Sequence, residues 1–251
     1  MNTIQTPQCV FLSPHLDDVV LSCGGLIYQL AQAGWVAQMI TIFAGDPPPG
    51  LLTPFAHSLH DRWAAEPAAR RDEDVYALRM LGAEAIHWPY PDAVYRRDPV
   101  TGTAWYDSEE SIFGQMASGD NTLVESIVDR LKAVDPFARL IVPLTAGHHV
   151  DHLVVRAAAE SLRREVVYYE DYPYAEKPER LEPILRDGSW TPDLVRLNDE
   201  AIRLKTRAIL AYRTQISTFF QTDDEVEPRV RVYANRVGRE DGPAERLWRR
   251  G

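Results

Sequence analysis

Two short runs in this chain hold residues able to grip a metal ion and move protons. The first is Ser13-Pro14-His15-Leu16-Asp17-Asp18, and the second is Gly147-His148-His149-Val150-Asp151-His152. Each follows an apolar run, Cys9-Val10-Phe11-Leu12 in one case and Leu140-Ile141-Val142-Pro143-Leu144 in the other. Histidines and carboxylates are costly to bury unless they bind something. His15 and Asp18 are three positions apart, as are His149 and His152, so at a helix start each pair faces one way. Two imidazoles and one carboxylate with an open fourth position make the usual form of a catalytic zinc centre. A spare carboxylate such as Asp17, next to a ligand but differently directed, would then serve as base. One such run alone is a weak signal, because Asp17 or Asp151 could simply cap the helix that follows. Two runs, both at the ends of strand-like segments, favour one divided metal site over capping.

The elements that must position these residues are legible in the apolar pattern. Residues 10–13 read as a buried strand, 19–33 as a helix stopped by Gly34, and 36–43 as a second strand. A helix over 67–81 stops at Gly82, and 85–87 form a short third strand. Thr122-Leu123-Val124-Glu125 resembles a capping box, and Leu123, Ile127 and Leu131 recur every fourth residue behind it. A fourth strand over 140–144, a helix over 151–164 and a fifth strand over 166–169 follow. Farther on, 194–212 read as one long helix and 230–233 as a short strand. Alternating strands and helices imply a single α/β domain over 1–251, Rossmann-like, with a mainly parallel sheet and helices on both faces. In the common strand order 3-2-1-4-5, strands one and four are neighbours where the order reverses, and ligands bind beyond their carboxyl ends. The two runs follow those two strands, so the topology would bring them into one crevice.

Two connections, 45–61 and 90–119, are long for a compact domain and are expected to be lid or substrate loops. The second carries Tyr95, Arg96, Trp105, Tyr106 and Phe113, which suits either a binding loop or a surface subdomain with its own small core. Glu170, Asp171, Tyr172 and Tyr174 follow the fifth strand. They could line the crevice, although a polar loop with aromatic packing is the favoured reading.

Composition narrows the function classes. The 251 residues carry a net charge of −10, which argues against a nucleic-acid partner. The two cysteines, Cys9 and Cys23, read as buried free thiols. The first residues lack the basic and apolar regions of a signal peptide, and no apolar run reaches membrane-spanning length, so a cytoplasmic location is expected. No G-x-G-x-x-G or H-E-x-x-H run occurs, and Ser13 and Ser22 lack a nucleophile-elbow context.

The residues also resemble a known family, the PIG-L/LmbE-like zinc-dependent N-deacetylases, whose signatures are P-H-P-D-D-E and H-P-D-H. Here they stand as Pro14-His15-Leu16-Asp17-Asp18-Val19 and His149-Val150-Asp151-His152. The family's helix pattern R-x-x-E-x-x-x-A-x-x-x-L-G is matched by Arg70, Glu73, Ala77, Leu81 and Gly82, and its P-D pair by Pro91-Asp92. The resemblance implies that His15, Asp18 and His152 hold Zn²⁺, and Asp17 is the general base. A His/His/Asp set also suits Fe²⁺. By the same resemblance His149 stabilises the oxyanion or protonates the leaving amine, Asp151 orients His149, and Arg70 and Asp92 contact the substrate. Tyr95 and Arg96 join them as lid residues suited to a hydroxyl-rich ligand. Leu16 and Val19 depart from the signature at positions that need not be ligands. Gly147 stands where some members carry a tyrosine, with His148 or a lid tyrosine as candidate replacements.

The activity so implied is removal of an acetyl group from an N-acetylated amino sugar or glycoconjugate, with N-acetylglucosamine as the kind of sugar. The alternatives are an amidase of thiol conjugates, a metal-dependent phosphoesterase and a non-catalytic carbohydrate-binding relative. The expected partner is a small-molecule or glycoconjugate substrate, without an integral membrane segment, and a homo-oligomer is left open.

Overall fold

The computed structural model describes residues 8–50, 52–63 and 67–251. The chain opens with β1 (Gln8–Ser13), α1 (Asp18–Gln32), β2 (Val36–Thr41), α2 (Pro54–Trp63), α3 (Pro67–Leu81) and β3 (Glu84–His87). It continues through α4 (Glu109–Ile112), α5 (Asp120–Leu131), β4 (Arg139–Pro143), α6 (Val150–Ser161) and β5 (Val166–Tyr169). It closes with α7 (Pro178–Leu185), β6 (Trp190–Arg196), α8 (Asp199–Ile209), α9 (Val226–Gly238) and β7 (Ala244–Arg250).

These strands form one seven-stranded sheet in the order β3-β2-β1-β4-β5-β7-β6. The first five are parallel, and β7 pairs antiparallel with both β5 and β6. Side chains alternate across β1, as the period of a strand requires. Cys9 and Phe11 enter a core with Val20 of α1, Leu78 of α3 and Ile202 of α8. Val10 and Leu12 enter a second core with Ile127 of α5 and Val154 of α6. Both faces of the sheet are therefore covered, and β1 is buried on each. The expected Rossmann-like α/β architecture stands. Strand order reverses between β1 and β4, which pair through Cys9–Arg139, Val10–Leu140 and Phe11–Ile141.

The later third departs from the sequence reading. The long helix expected over 194–212 divides into the end of β6 and all of α8, with Asn198 capping α8 through its Oδ1 and the Ala201 N–H. The strand expected over 230–233 lies inside α9. There Val226, Val230, Ala234 and Val237 are buried at helical spacing, and that burial overrides local β propensity. The capping box at Thr122 is also corrected. Helix α5 starts at Asp120 after Gly119, so Thr122 and Glu125 lie within it.

The two long connections are partly structured. One contains α2, while the other contains a 3₁₀ turn (Ala93–Tyr95) and α4. Ala56, Leu59, Val94, Tyr106 and Ile112 from these segments bury a small core of their own beside the sheet. Both cysteines are buried and free. Among the described residues, no helix is long and apolar enough to cross a membrane.

Candidate active site and metal centre

The turn leaving β1 is strained and heavily pinned. Asp17 has φ 133°, a region that side chains disfavour by about 1–3 kcal/mol. Neighbouring bonds hold the turn: Ser13 Oγ–H donates to the His15 carbonyl at 2.6 Å, and the His15 N–H donates to Asp18 Oδ2 at 2.8 Å. The adjacent strand end closes over it through Ile42 N–H to Ser13 O and Phe43 N–H to Pro14 O. Asp18 thereby opens α1, and Asp17 projects separately. The turn leaving β4 has positive φ at Thr145 and His148, and Asp171 anchors it by accepting the Ala146 N–H at 2.9 Å. His149 then caps α6, its Nδ1 accepting the Asp151 N–H at 3.2 Å. Because β1 and β4 are neighbours, both turns rise from the same end of the sheet and meet.

At the meeting point, His15 Nδ1 lies 3.2 Å from Asp18 Oδ2, and His152 Nε2 lies 3.3 Å from the same oxygen. Neighbouring ligand atoms on a tetrahedral ion with bonds of about 2.0–2.1 Å sit about 3.3 Å apart. Each of these imidazole nitrogens thus stands from Asp18 at the spacing of two ligands on a small divalent cation. His152 Nε2 is buried and lacks a hydrogen bond of normal geometry, an orphan that an ion would satisfy. The outer nitrogens are held by carboxylates: His15 Nε2 by Asp151 Oδ2 at 2.9 Å, and His152 Nδ1 by Asp171 Oδ1 at 2.6 Å. Such partners fix the orientation of ligating imidazoles. His149 offers a third ring nitrogen to the same space, within 4.8 Å of ring nitrogens of His15 and His152.

The electrostatics separate the two adjacent aspartates. Burial alone would raise Asp18, but His152 and His15 outweigh it and hold the carboxyl well below the usual carboxylate range. Burial and the charge of Asp18 push Asp17 well above that range. For His152, burial works downward, yet Asp18 and the Asp171 hydrogen bond push it up to about 9. Burial and the nearby His15 carry His149 the other way, well below the ordinary histidine value. The cluster therefore has a strongly cation-favouring corner at Asp18, and a neutral imidazole at His149.

These groups open into a cavity of about 380 Å³. His15, Asp17, Asp18 and His149 line its inner end, with Asp92 and Arg70 beside them. Arg70 stacks over Trp63 at 4.1 Å and donates to Gln215 Oε1 at 2.9 Å. Asp92 Oδ2 is 3.6 Å from His15 Nε2, and its Oδ1 caps the Val94 N–H. The outer wall is aromatic, with Trp63, Phe113, Tyr174 and Phe219.

Four expectations are corrected by this geometry. Arg96 does not face the cavity: it is buried, donates to Asp151 Oδ1 at 2.6 Å and pairs with Asp120 at 3.1 Å. It acts behind His15, through Asp151. The hydroxyl of Tyr95 meets His60 at 2.5 Å, and the residue is not on the cavity wall. The Asp151 carboxylate reaches His15, Arg96 and the Ala93 N–H, so the hydrogen bond that joins Asp151 to His149 comes from its backbone N–H. His148 is exposed and does not replace the tyrosine missing at Gly147. The ring of Tyr174 fills that space instead: a Cβ on Gly147 would stand 2.7 Å from its Cγ. Asp171 and Tyr174 do more than pack a loop: Asp171 Oδ1 lies 2.6 Å from His152 Nδ1, and the Tyr174 ring lies 6.0 Å from that of His152. Gln215 carried no signal of its own in the sequence.

A profile of the GlcNAc-PI de-N-acetylase (PIG-L) family matches residues 10–162. The chain belongs to the PIG-L family, in agreement with the motifs at His15 and His149. It is 28% identical over 238 residues to 2'-N-acetylparomamine deacetylase of Niallia circulans, spanning 87% of this chain and 84% of that one. The protein of the same name from Streptomyces fradiae is 27% identical over 228 residues, spanning 86% and 74%. Among solved structures, the zinc-inhibited form of teicoplanin deacetylase superposes with a TM-score of 0.79 at 26% identity, over 96% of this chain and 97% of that one.

Proposed function

We propose that this chain hydrolyses the acetamide of an N-acetylated amino sugar or glycoconjugate, with His15, Asp18 and His152 holding a divalent ion. The observation that carries the reading is the approach of His15 Nδ1 and His152 Nε2 to one oxygen of Asp18, with Asp17 left free beside them. Zn²⁺ is the ion that the two imidazoles and one carboxylate suit first, and Fe²⁺ is the second. When bound, the ion supplies Lewis acidity toward an amide carbonyl and toward water.

The protein groups divide the remaining work. Asp17 accepts a proton from the attacking water. Burial and Asp18 raise its pKa, which brings it closer to working pH and makes it a better base. His149 is neutral because burial and His15 depress it. Its Nδ1 already accepts the Asp151 N–H, so the ring proton is assigned to Nε2. That N–H is a donor for the oxygen on which charge develops. The C–N bond then breaks, the proton held by Asp17 passes to the leaving nitrogen, and acetate and a free amine result. Arg70 and Asp92, which line the same cavity, orient the sugar through its hydroxyls on this reading.

The test is amine release from phenyl N-acetyl-β-D-glucosaminide, followed with an amine-reactive dye on metal-replete protein. Stoichiometric appearance of amine and acetate is expected. Metal-replete protein that releases neither from this glycoside nor from a panel of N-acetylated amino sugars would exclude the reading.

A further inference from the structure

His15 has a carboxylate on each side of its ring. Asp18 Oδ2 lies 3.2 Å from Nδ1, and Asp151 Oδ2 lies 2.9 Å from Nε2. A neutral imidazole carries one proton, and the nitrogen left bare is the one that can bind an ion. A fixed carboxylate at Nε2 accepts that proton's hydrogen bond and leaves Nδ1 to the ion. Whatever fixes Asp151 is therefore part of how the ligand is presented.

Both ends of one short turn grip that carboxylate. The Ala93 N–H, at the start of the 3₁₀ turn, donates to Asp151 Oδ2 at 3.1 Å. Arg96, just after the turn, donates from Nη1 to Asp151 Oδ1 at 2.6 Å. The same guanidinium reaches Asp120: its Nε lies 3.1 Å from Oδ1, and its Nη2 lies 3.4 Å from Oδ2. Asp120 accepts the Tyr106 O–H at 2.5 Å, and the Tyr106 oxygen accepts the Ala117 N–H at 2.6 Å. The rings of Phe43 and Tyr106 close the guanidinium in, at 5.2 and 5.1 Å. Arg96 is 6% exposed, and Asp120 and Asp151 are fully buried. Arg96, Tyr106, Asp120 and Asp151 are all off the cavity wall, so their contact with the site runs through Asp151 onto His15. A planar fork that bridges two buried carboxylates holds them at one separation, which a single ammonium cannot do.

We propose that Arg96 is a positioning residue for the metal ligand His15. It locks the Asp151 carboxylate on the Nε2 side of the ring, so that Nδ1 faces the ion, and it makes the ligand depend on the 90–119 connection. This rests on the ligand assignment in the proposed function.

The test is Zn²⁺ affinity, measured by competitive chelator titration of the full chain, together with the d–d spectrum of the Co²⁺-saturated protein. Affinity is expected to fall about 10–100-fold in Arg96→Gln. Arg96→Lys keeps the charge without the fork and should stay at least about fivefold weaker than wild type. Tyr106→Phe removes one hydroxyl at the far end of the network, where folding is least at stake, and should weaken binding about three- to tenfold. The Co²⁺ spectrum of Arg96→Gln should differ from wild type at saturation, because His15 meets the ion at an altered angle. A variant that has lost stability alone keeps the wild-type spectrum once folded and saturated. A wild-type spectrum in Arg96→Gln, full recovery in Arg96→Lys, or wild-type affinity in every variant that folds overturns the proposal. If Arg96→Gln does not fold, affinity and spectrum are read on Arg96→Lys and Tyr106→Phe in its place. His15→Ala separates this proposal from the reading beneath it. Wild-type Zn²⁺ affinity in His15→Ala would sink the ligand assignment, whereas loss of the ion there with retention in Arg96→Gln would sink the role of Arg96 alone.

Discussion

At the inner end of the cavity, the outer nitrogen of His15 is held by Asp151 and that of His152 by Asp171. At the outer end, Phe113, Tyr174 and Phe219 meet edge to face at 5.9 Å, with no comparable polar restraint. The inner residues stand at or just beyond the ends of β1, β4 and β5, whose pairings fix their separation. The outer residues come from segments between sheet elements. The comparison separates chemistry from selection. The proposed metal cradle would tolerate errors of only a few tenths of an ångström, and carboxylates on a buried sheet would supply that rigidity. On the function proposed above, a wall that meets the substrate's outer part needs shape, and loops can vary that without disturbing the cradle.

The sharpest way to break the comparison is to empty the cradle. Exhaustive chelation should abolish amine release, and one equivalent of Zn²⁺ or Fe²⁺ should restore it. Undiminished activity in verified metal-free protein would show that the inner end is not a metal centre. Next in size is Asp171→Asn, which removes the negative partner of His152 Nδ1. Metal affinity should fall about 10–100-fold in a competitive chelator titration, while glycoside binding to metal-saturated protein stays near wild type.

The outer end should respond differently. Gly147→Ala places a Cβ against the Tyr174 ring, so the ring or the turn must shift. A cost of about 1–3 kcal/mol is expected, read as a thermal midpoint lower by several degrees. The smallest effect is Phe113→Ala, which should raise KM for aryl glycosides several-fold while kcat and metal affinity hold. A large loss of metal from this variant would mean that the two ends are not separable.

What the sequence made legible follows the same division. The runs at His15 and His149 announce themselves because ligand-type residues follow apolar strands, and the strand order that joins them is a common one. Which way a loop side chain turns has no such signature. Tyr95 and Arg96 have the composition of ligand-binding residues, yet one meets His60 and the other is neutralised by Asp151 and Asp120. The edge of the sheet was hidden for another reason. β6 faces solvent along much of its length, with Leu194 39% exposed, so its pattern has no clean alternation, and its partner β7 is far along the chain. In α9, Val230, Arg231, Val232 and Tyr233 look strand-like in isolation, but only the wider spacing from Val226 to Val237 shows the buried helical face. Gln215, in the turn that follows α8, became visible only once the fold had brought it to Arg70.

The central claim is that Asp17 takes the proton of the attacking water beside a cradle made by its neighbours. It is tested most directly by comparing wild-type protein with Asp17→Asn at equal, measured metal content, following acetate release from phenyl N-acetyl-β-D-glucosaminide. The account predicts kcat at least about a hundredfold lower in the variant with the metal retained. Equal rates at equal metal content would contradict it.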